Sequence, residues 1–243
     1  MKLRFTLFIL ASFLTTISSF AQNWLKSIGG STTDVAYAVA IDGNKNVYLG
    51  GAFSGTNVNF NPGGVSVSLT TVLGADNGFF AKYSAGGVLQ WVIPYYRGSG
   101  GTRVNNIQCD ASNNVYVTGW FDGSNVNFNP NGTPVNVSCI GGQDIFLAKY
   151  NSAGILQWVR IMGGSAFADQ GNALAIDPTD NGIVLTGSFI SVTNFNPAGT
   201  AMTLTPAGGA VAGNADLFIA KYNSSGICQW VKQVGSSPNS EIG

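Results

Sequence analysis

Hydrophobic and polar residues alternate along short segments of this chain, and the same alternation occurs three times. In the middle copy, four residues at a spacing of two share one face of the segment 115–121: Val115, Val117, Gly119 and Phe121. The matching residues are Val47, Leu49, Gly51 and Phe53 in the first copy, and Ile183, Leu185, Gly187 and Phe189 in the third. A period of two residues is typical of a β-strand. We therefore predict one equivalent strand in each copy.

Three further strands are predicted around this one. We label the four strands A to D in chain order, and in the middle copy they cover Val104–Cys109, Val115–Phe121, Asp144–Tyr150 and Leu156–Met162. Short polar turns join A to B and C to D, and Gly154 lies where the second turn needs a positive φ. The longer B–C connection carries one more extended piece, Val135–Cys139.

The whole four-strand unit repeats. Its markers are four tryptophans spaced by 67, 67 and 72 residues, an Asn-Phe-Asn-Pro element and an Ala-Lys-Tyr element. The tryptophans are Trp24, Trp91, Trp158 and Trp230. The Asn-Phe-Asn-Pro elements are residues 59–62, 127–130 and 194–197, and the Ala-Lys-Tyr elements are residues 81–83, 148–150 and 220–222. Such units bury their apolar faces by stacking on their neighbours. The prediction is an all-β fold of about three four-stranded antiparallel β-propeller blades, with the tryptophans packed between blades. A β-solenoid or an array of stacked hairpins is the alternative.

The repeat also resembles a known family. The segments 110–119, 144–150 and 154–158 are similar to the SBBP β-propeller repeat of bacterial surface and secreted proteins, and Asn-Phe-Asn-Pro is similar to an insert common in that repeat. The resemblance covers residues 23–243. It implies the propeller fold and no activity, since the family has no agreed catalytic residues.

The first 21 residues have the features of a secretory signal peptide. Lys2 and Arg4 precede a short apolar run at 5–14, and Ser19 and Ala21 are small residues at the −3 and −1 positions of a cleavage site. The segment is similar to those of Bacteroidetes exports. We expect a mature chain starting at Gln22 that is secreted or at the cell surface, without membrane insertion after cleavage.

The predicted ring is incomplete. The blades are expected at about 31–97, 98–164 and 165–235, with an orphan strand D at 23–29 and the start of a further repeat at 236–243. Propellers close with roughly four to eight blades. We expect an N-terminal fragment of a longer protein, whose missing C-terminal blades complete the ring in cis. Closure by oligomerisation is the alternative.

Composition excludes several classes of site. Without the predicted signal peptide, nine basic residues stand against eleven acidic ones, so the chain has no excess of positive charge for binding nucleic acid. Histidine is absent, which excludes histidine bases and histidine metal ligands. The cysteines, Cys109, Cys139 and Cys228, stand at apolar positions of the repeat and are predicted to be buried thiols. One disulfide with a leftover thiol is the alternative.

The acidic residues recur in the repeats, which favours a structural role. The turns at 42–46, 110–114 and 177–181 resemble the start of a calcium loop but lack its distal glutamate, and aspartate is a common turn residue. Asp34 and Asp169 begin strand A, and Asp144 and Asp216 begin strand C, as loop-capping residues would. We predict no catalytic residues, no metal site and no cofactor, with calcium the remaining candidate.

A ligand surface is predicted where the middle copy departs from the repeat. The long B–C and D–A connections lie at one end of every blade, where binding residues usually occur. Trp120 stands where the other copies have Ala52 and Ser188, and Arg103 where they have Val35 and Gln170. The candidate residues are Tyr95, Tyr96, Arg97, Arg103, Trp120 and Asp122. The alternative is ordinary drift that fills a gap between blades.

These observations predict an exported, non-enzymatic propeller that binds an extracellular protein or glycan. Aromatic rings beside an arginine and an aspartate combine stacking with hydrogen bonding. Two other functions remain open: part of a propeller enzyme that acts on extracellular polysaccharide, and a structural spacer in a large adhesin.

Overall fold

All regular structure in the described part of the chain is β-structure. The computed structural model describes residues 25–71, 76–96, 100–165, 168–209, 211 and 214–235. The predicted signal peptide, Trp24 and the predicted start of a further repeat lie outside these residues. The strands are β1 (Val35–Ile41), β2 (Val47–Phe53), β3 (Val58–Asn59), β4 (Ser68–Leu69), β5 (Asn77–Tyr83), β6 (Leu89–Tyr95), β7 (Thr102–Cys109), β8 (Val115–Phe121), β9 (Val126–Asn127), β10 (Asn136–Val137), β11 (Asp144–Tyr150), β12 (Leu156–Met162), β13 (Gln170–Ile176), β14 (Ile183–Phe189), β15 (Thr193–Asn194), β16 (Thr203–Leu204), β17 (Asp216–Tyr222) and β18 (Cys228–Val234).

The long strands form three four-stranded antiparallel sheets with the same topology. The strand orders are β1-β2-β5-β6, β7-β8-β11-β12 and β13-β14-β17-β18, so each sheet runs A-B-C-D as a propeller blade does. We call them blades 1, 2 and 3. The inner strands β1, β7 and β13 pack against one another in that order. The predicted β-propeller blades are therefore confirmed, and the ring formed by the described residues is open.

A small hairpin occupies each B–C connection. The pairs β3–β4, β9–β10 and β15–β16 are the two-stranded sheets of these connections. In blade 2, the paired part of the predicted extended piece is Asn136–Val137, which pairs with Val126–Asn127. The phenylalanine of each Asn-Phe-Asn-Pro element is fully buried beside its hairpin, and the tyrosine of the Ala-Lys-Tyr element donates a hydrogen bond to its carbonyl. These bonds are Tyr83–Phe60, Tyr150–Phe128 and Tyr222–Phe195, at 2.8, 2.8 and 2.9 Å. The two sequence markers thus form one contact.

A β-bulge interrupts strand A of each blade next to the repeated glycine of strand B. In blade 2, the register shifts between Val104 and Asn106, which leaves Asn105 as the extra residue. A Cβ on Gly119 would lie 1.9 Å from the carbonyl oxygen of Arg103. Only glycine fits at that distance, so the close approach explains the glycine at this point of the repeat.

Two of the four repeated tryptophans, Trp91 and Trp158, pack between blades as predicted, whereas Trp230 is 39% exposed on blade 3. The indole of Trp158 lies against Gly226 in the C–D turn of blade 3, and its Nε1 donates to the carbonyl of Ser224 at 3.2 Å. Trp91 lies in the same way against Gly154 of blade 2. Beside it, Lys82 Nζ donates to the carbonyl of Ser152 at 3.0 Å. We call this tryptophan–lysine contact with the next turn the inter-blade clamp.

The two outer faces of the array are uncovered to different degrees. In blade 2, Ile145 and Met162 are fully buried against blade 3. The residues at the same repeat positions of blade 3, Leu217 and Val234, are 55% and 60% exposed. On the outer face of blade 1, Ile28 packs on the apolar cluster of that blade. Blade 3 therefore presents a face that the other two blades bury.

The predicted orphan strand before blade 1 is not a regular strand in its described part. Residues 25–28 have no ladder, and Gly29 forms a single bridge with Asn59. A strand D pairs with a strand C, and no strand C of a preceding blade lies beside this segment in the described residues. The segment follows the surface of blade 1 through Ile28 without completing a sheet.

The acidic turns and the cysteines have structural surroundings. The Asp110 carboxylate accepts hydrogen bonds from the backbone of Ser112 and Asn114, both at 2.9 Å, which closes the A–B turn. Cys109 and Cys139 are half-buried against the core between blades 1 and 2, Cys228 is buried, and all three are free thiols. Within the described residues, no helix has the length and apolarity that a membrane crossing would need.

Candidate functional site

The feature that departs most from the repeat is an arginine held between two aromatic rings. The guanidinium carbon of Arg103 lies 4.5 Å from the centre of the Tyr37 ring and 5.4 Å from that of Trp120. Both distances are in the range of cation–π interactions. We call these three residues the Arg103 cluster.

The strand register and the bulge place the three side chains together. Arg103 on β7 pairs directly with Trp120 on β8, one position from the end of the sheet that carries the long connections. Tyr37 is the bulge residue of β1, equivalent to Asn105 of β7. Asn105 donates to the carbonyl of Gly171 in the next blade at 2.9 Å, so a bulge side chain points across the blade boundary. The same geometry brings Tyr37 of blade 1 to Arg103 of blade 2.

The Arg103 cluster has unused hydrogen-bonding capacity. Arg103 forms no ion pair within the described part of the chain, where the ion pairs involve Lys82 and Lys221. Its Nε is buried without a partner, and so is the Nε1 of Trp120. An unsatisfied buried donor costs about 1–3 kcal/mol. By contrast, the guanidinium of Arg160 donates hydrogen bonds to the carbonyls of Ser225 and Gly226.

Asp122, another candidate, borders the cluster. Its carboxylate accepts a hydrogen bond from the backbone of Gly101, and its own backbone donates to the Gly101 carbonyl at 2.9 Å. A Cβ on Gly101 would lie 3.0 Å from the six-membered ring of Trp120. Asp122 therefore fixes the loop on which the indole rests.

The remaining candidates lie elsewhere. Tyr95 is fully buried between blades 1 and 2, where its hydroxyl is hydrogen-bonded to that of Tyr150 at 2.9 Å. Burial raises the pKa of Tyr95 well above its usual value. Tyr96 is half-buried and packs on the opposite, outer face of blade 1. Arg97 lies outside the described residues. The structure thus brings together Arg103, Trp120 and Asp122, and separates Tyr95 and Tyr96 from them.

Tyr37 was missed by the sequence analysis. It is 42% exposed and is the outermost aromatic ring of the cluster. The sequence does carry a signal at this position: Tyr37 is a tyrosine, whereas the equivalent bulge residues in the other blades are the asparagines Asn105 and Asn172. The bulge itself has no sequence pattern, so the sequence alone does not show that these three positions are equivalent.

Two buried acids lie at the boundary of blades 2 and 3. Asp144 and Asp169 are both shielded from solvent. Burial raises the pKa of the Asp144 carboxyl to about 7, and the Asp169 carboxylate adds to the effect. Burial likewise raises the pKa of Asp169, which accepts hydrogen bonds from the backbone of Gly164 and Ile190 at 3.1 and 2.7 Å. These contacts hold the D–A and B–C connections, which is a loop-capping arrangement rather than an accessible acid pair.

No cluster of three or more acidic or cysteine residues that could hold a metal ion occurs among the described residues. In the A–B turn of blade 1, the Asp42 carboxylate is hydrogen-bonded to Asn44 and Asn46 and lies 3.6 Å from Lys82 Nζ. The carboxylate oxygens of this turn are therefore engaged with the protein.

Comparison with known proteins supports the fold and leaves the family open. No protein-family model matches the chain. A curated relative is the uncharacterised WD repeat-containing protein L264 of Acanthamoeba polyphaga mimivirus, 25% identical over 249 residues. The match covers 88% of this chain and 17% of the relative, so the chain spans about a sixth of that protein's length.

The B–C insert accounts for the length of the repeat relative to a WD repeat. A WD repeat has about 40–45 residues. The connection between β2 and β5 occupies residues 54–76, and without most of it the unit would have nearly that length. The four-stranded blade is thus shared, and the small hairpin with Asn-Phe-Asn-Pro is an addition to it.

Proposed function

We propose that this chain is part of an exported β-propeller that binds an extracellular ligand at the Arg103 cluster. The observation that carries the proposal is the arginine between Tyr37 and Trp120, which has donors without partners and occurs in one of the three blades. Side chains that join neighbouring blades recur in the repeat, as the clamp tryptophans do. A cluster that breaks the repeat and leaves its own donors unsatisfied is better explained by a ligand.

Binding is favoured over catalysis by the state of the titratable groups. The chain contains no histidine. The acids with a raised pKa, Asp144 and Asp169, are fully buried and are engaged in holding loops. A general acid must reach the substrate within hydrogen-bonding distance. A propeller enzyme acting on polysaccharide remains the second candidate function, with its site supplied by further blades, and a structural spacer is the third.

Export and the finer family assignment belong to the same proposal. The predicted signal peptide over 1–21 and the resemblance to SBBP repeats of bacterial surface proteins support secretion or display at the cell surface. Expression with the native N-terminus, followed by N-terminal sequencing of the exported product, tests this point. The expected first residue is Gln22, and a cytoplasmic product that retains Met1 would contradict export.

Further blades in cis are the expected partners of the uncovered face of blade 3. Leu217 and Val234 are exposed at positions where blade 2 buries Ile145 and Met162. Lys221, at the position of the clamp lysines, forms ion pairs with Asp177 and Asp180 of its own blade at 2.7 and 2.8 Å instead of reaching a next turn.

The binding function is tested by screening the purified chain against panels of extracellular glycans and proteins. The variants Arg103→Gln and Trp120→Ala remove the cluster, and Lys232→Gln removes an exposed positive charge elsewhere. We expect a ligand that is lost in the first two variants and retained in the third. Equal binding by all variants would refute the site, and release of reducing sugars from any polysaccharide would favour the enzyme.

A further inference from the structure

We propose that the ligand of the Arg103 cluster is a carboxylate-bearing sugar, such as a uronic acid residue of an acidic glycan. This inference rests on the proposed binding function and names the chemistry of its ligand.

The charge of Arg103 has no counterpart in the described part of the chain. The neighbouring Asp122 carboxylate is directed to the backbone of Gly101. No hydrogen bond is donated by the Arg103 side chain to any described residue, and its Nε is a buried donor without a partner. Guanidinium groups pair with carboxylates through two parallel N–H···O bonds. A ligand carboxylate is therefore the group that completes this site.

The surrounding rings favour a sugar as the carrier of that carboxylate. Tyr37 and Trp120 flank the guanidinium at 4.5 and 5.4 Å, and Tyr37 is 42% exposed. The apolar face of a pyranose packs on such rings. Peptide recognition by a sheet protein usually requires an extended strand edge or groove.

The other blades cannot offer the same site. The residues equivalent to Arg103 are Val35 and Gln170, and those equivalent to Trp120 are Ala52 and Ser188. The bulge residues equivalent to Tyr37 are asparagines. Binding is therefore expected at one site in this part of the propeller, which gives a stoichiometry of one ligand per chain.

Calorimetric titration with trigalacturonate tests the inference, with its uncharged methyl ester and a triglutamate peptide as comparison ligands. We expect one trigalacturonate per chain, weaker binding in 0.5 M salt, and little binding of the ester or the peptide. Arg103→Gln, which installs the residue found at position 170, should weaken binding roughly 10- to 100-fold. Arg103→Lys should retain part of the affinity, and Lys232→Gln all of it. Near-ultraviolet circular dichroism establishes that each variant is folded.

The outcomes separate this inference from the proposed function. Equal binding of acid and ester, or unchanged binding in Arg103→Gln, overturns recognition of a carboxylate. Tight binding of triglutamate overturns the sugar and assigns the site to an acidic protein segment. If no acidic sugar binds but the glycan and protein panels yield a ligand that depends on Arg103 and Trp120, this inference fails while the binding function stands. If the panels also yield nothing, both fail.

Discussion

The repeat allows one substitution to be made twice, at the same position of a covered and an uncovered blade face. Ile145 is fully buried between blades 2 and 3, and its equivalent Leu217 is 55% exposed on the outer face of blade 3. Both side chains have four carbons. Replacing each by alanine therefore removes the same number of atoms from two different surroundings.

The two substitutions should lower the free energy of unfolding by different amounts, because only the substitution at Ile145 leaves a cavity. Ile145→Ala removes a fully enclosed side chain, which costs about 2–5 kcal/mol. Leu217→Ala removes a side chain that is only about half buried, which costs about 1 kcal/mol. Full burial of a leucine side chain stabilises the fold by about 1.5–3 kcal/mol. For a chain of this size, about 3 kcal/mol lowers the melting temperature by roughly 6–12 °C, and about 1 kcal/mol by roughly 2–4 °C.

Thermal and urea unfolding, followed by tryptophan fluorescence at a low and a high protein concentration, measure both costs. Val231→Ala, in the neighbouring strand β18, serves as a control for changes to the same sheet. If Leu217→Ala costs as much as Ile145→Ala, then the face of blade 3 is covered in solution and the reasoning about an open face is wrong. A dependence of the Leu217→Ala effect on protein concentration would identify a second copy as the cover.

Three further substitutions test individual contacts. The pKa of Asp144 is raised to about 7, so its protonated form favours the folded state, and this contribution is lost as the pH rises from about 4 through about 7. Asp144→Asn should therefore be more stable relative to the parent chain at pH 8 than at pH 5, by about 2.7 kcal/mol, because about two pKa units of the shift lie between pH 5 and pH 7. Tyr150→Phe should cost about 1–2 kcal/mol in urea unfolding, because the buried carbonyl of Phe128 loses its donor and the Tyr95 hydroxyl loses its partner. Gly119→Ala should cost more than about 4 kcal/mol or prevent folding, since its Cβ would lie 1.9 Å from a backbone oxygen, and circular dichroism records the loss.

Each of these has a contrary result. A pH-independent difference between Asp144→Asn and the parent chain would show that this carboxyl has an ordinary pKa. Unchanged stability in Tyr150→Phe would show that the hydrogen bonds of the Tyr150 hydroxyl do not stabilise the folded state. A folded, stable Gly119→Ala would show that strand A can shift away from β8.

The sequence predicted the long strands well because each has a strong local signal. The alternation at 115–121 matches β8 residue for residue, and the Ala-Lys-Tyr and tryptophan segments match the third and fourth strands of each blade. One detail differed: Tyr116 and Thr118 on the opposite side of β8 are as buried as Val115 and Val117. Blade 2 has a neighbour on both faces, so polarity in the sequence did not indicate exposure.

The candidate site was predicted in part, for reasons of local geometry. Arg103 and Trp120 were found by comparing equivalent positions, and they do meet. Tyr95 and Tyr96 were assigned to a surface loop, but β6 extends to Tyr95 and its alternation sends the two rings to opposite faces of the blade. Tyr37 reaches the cluster through a bulge, which depends on a close contact between strands rather than on a sequence pattern.

The inter-blade clamp has a consequence for how such a chain can change in evolution. The lysine and tryptophan of one blade contact a backbone carbonyl and a glycine in the next turn, as at Ser224 and Gly226. A backbone carbonyl is the same whatever side chain its residue carries, so the contact requires no matched pair of side chains. Duplication, loss or reordering of a whole repeat therefore leaves the clamp contact itself intact without compensating mutations. Neighbouring blades are then free to acquire a feature at their boundary, such as the Arg103 cluster, while the clamp is kept.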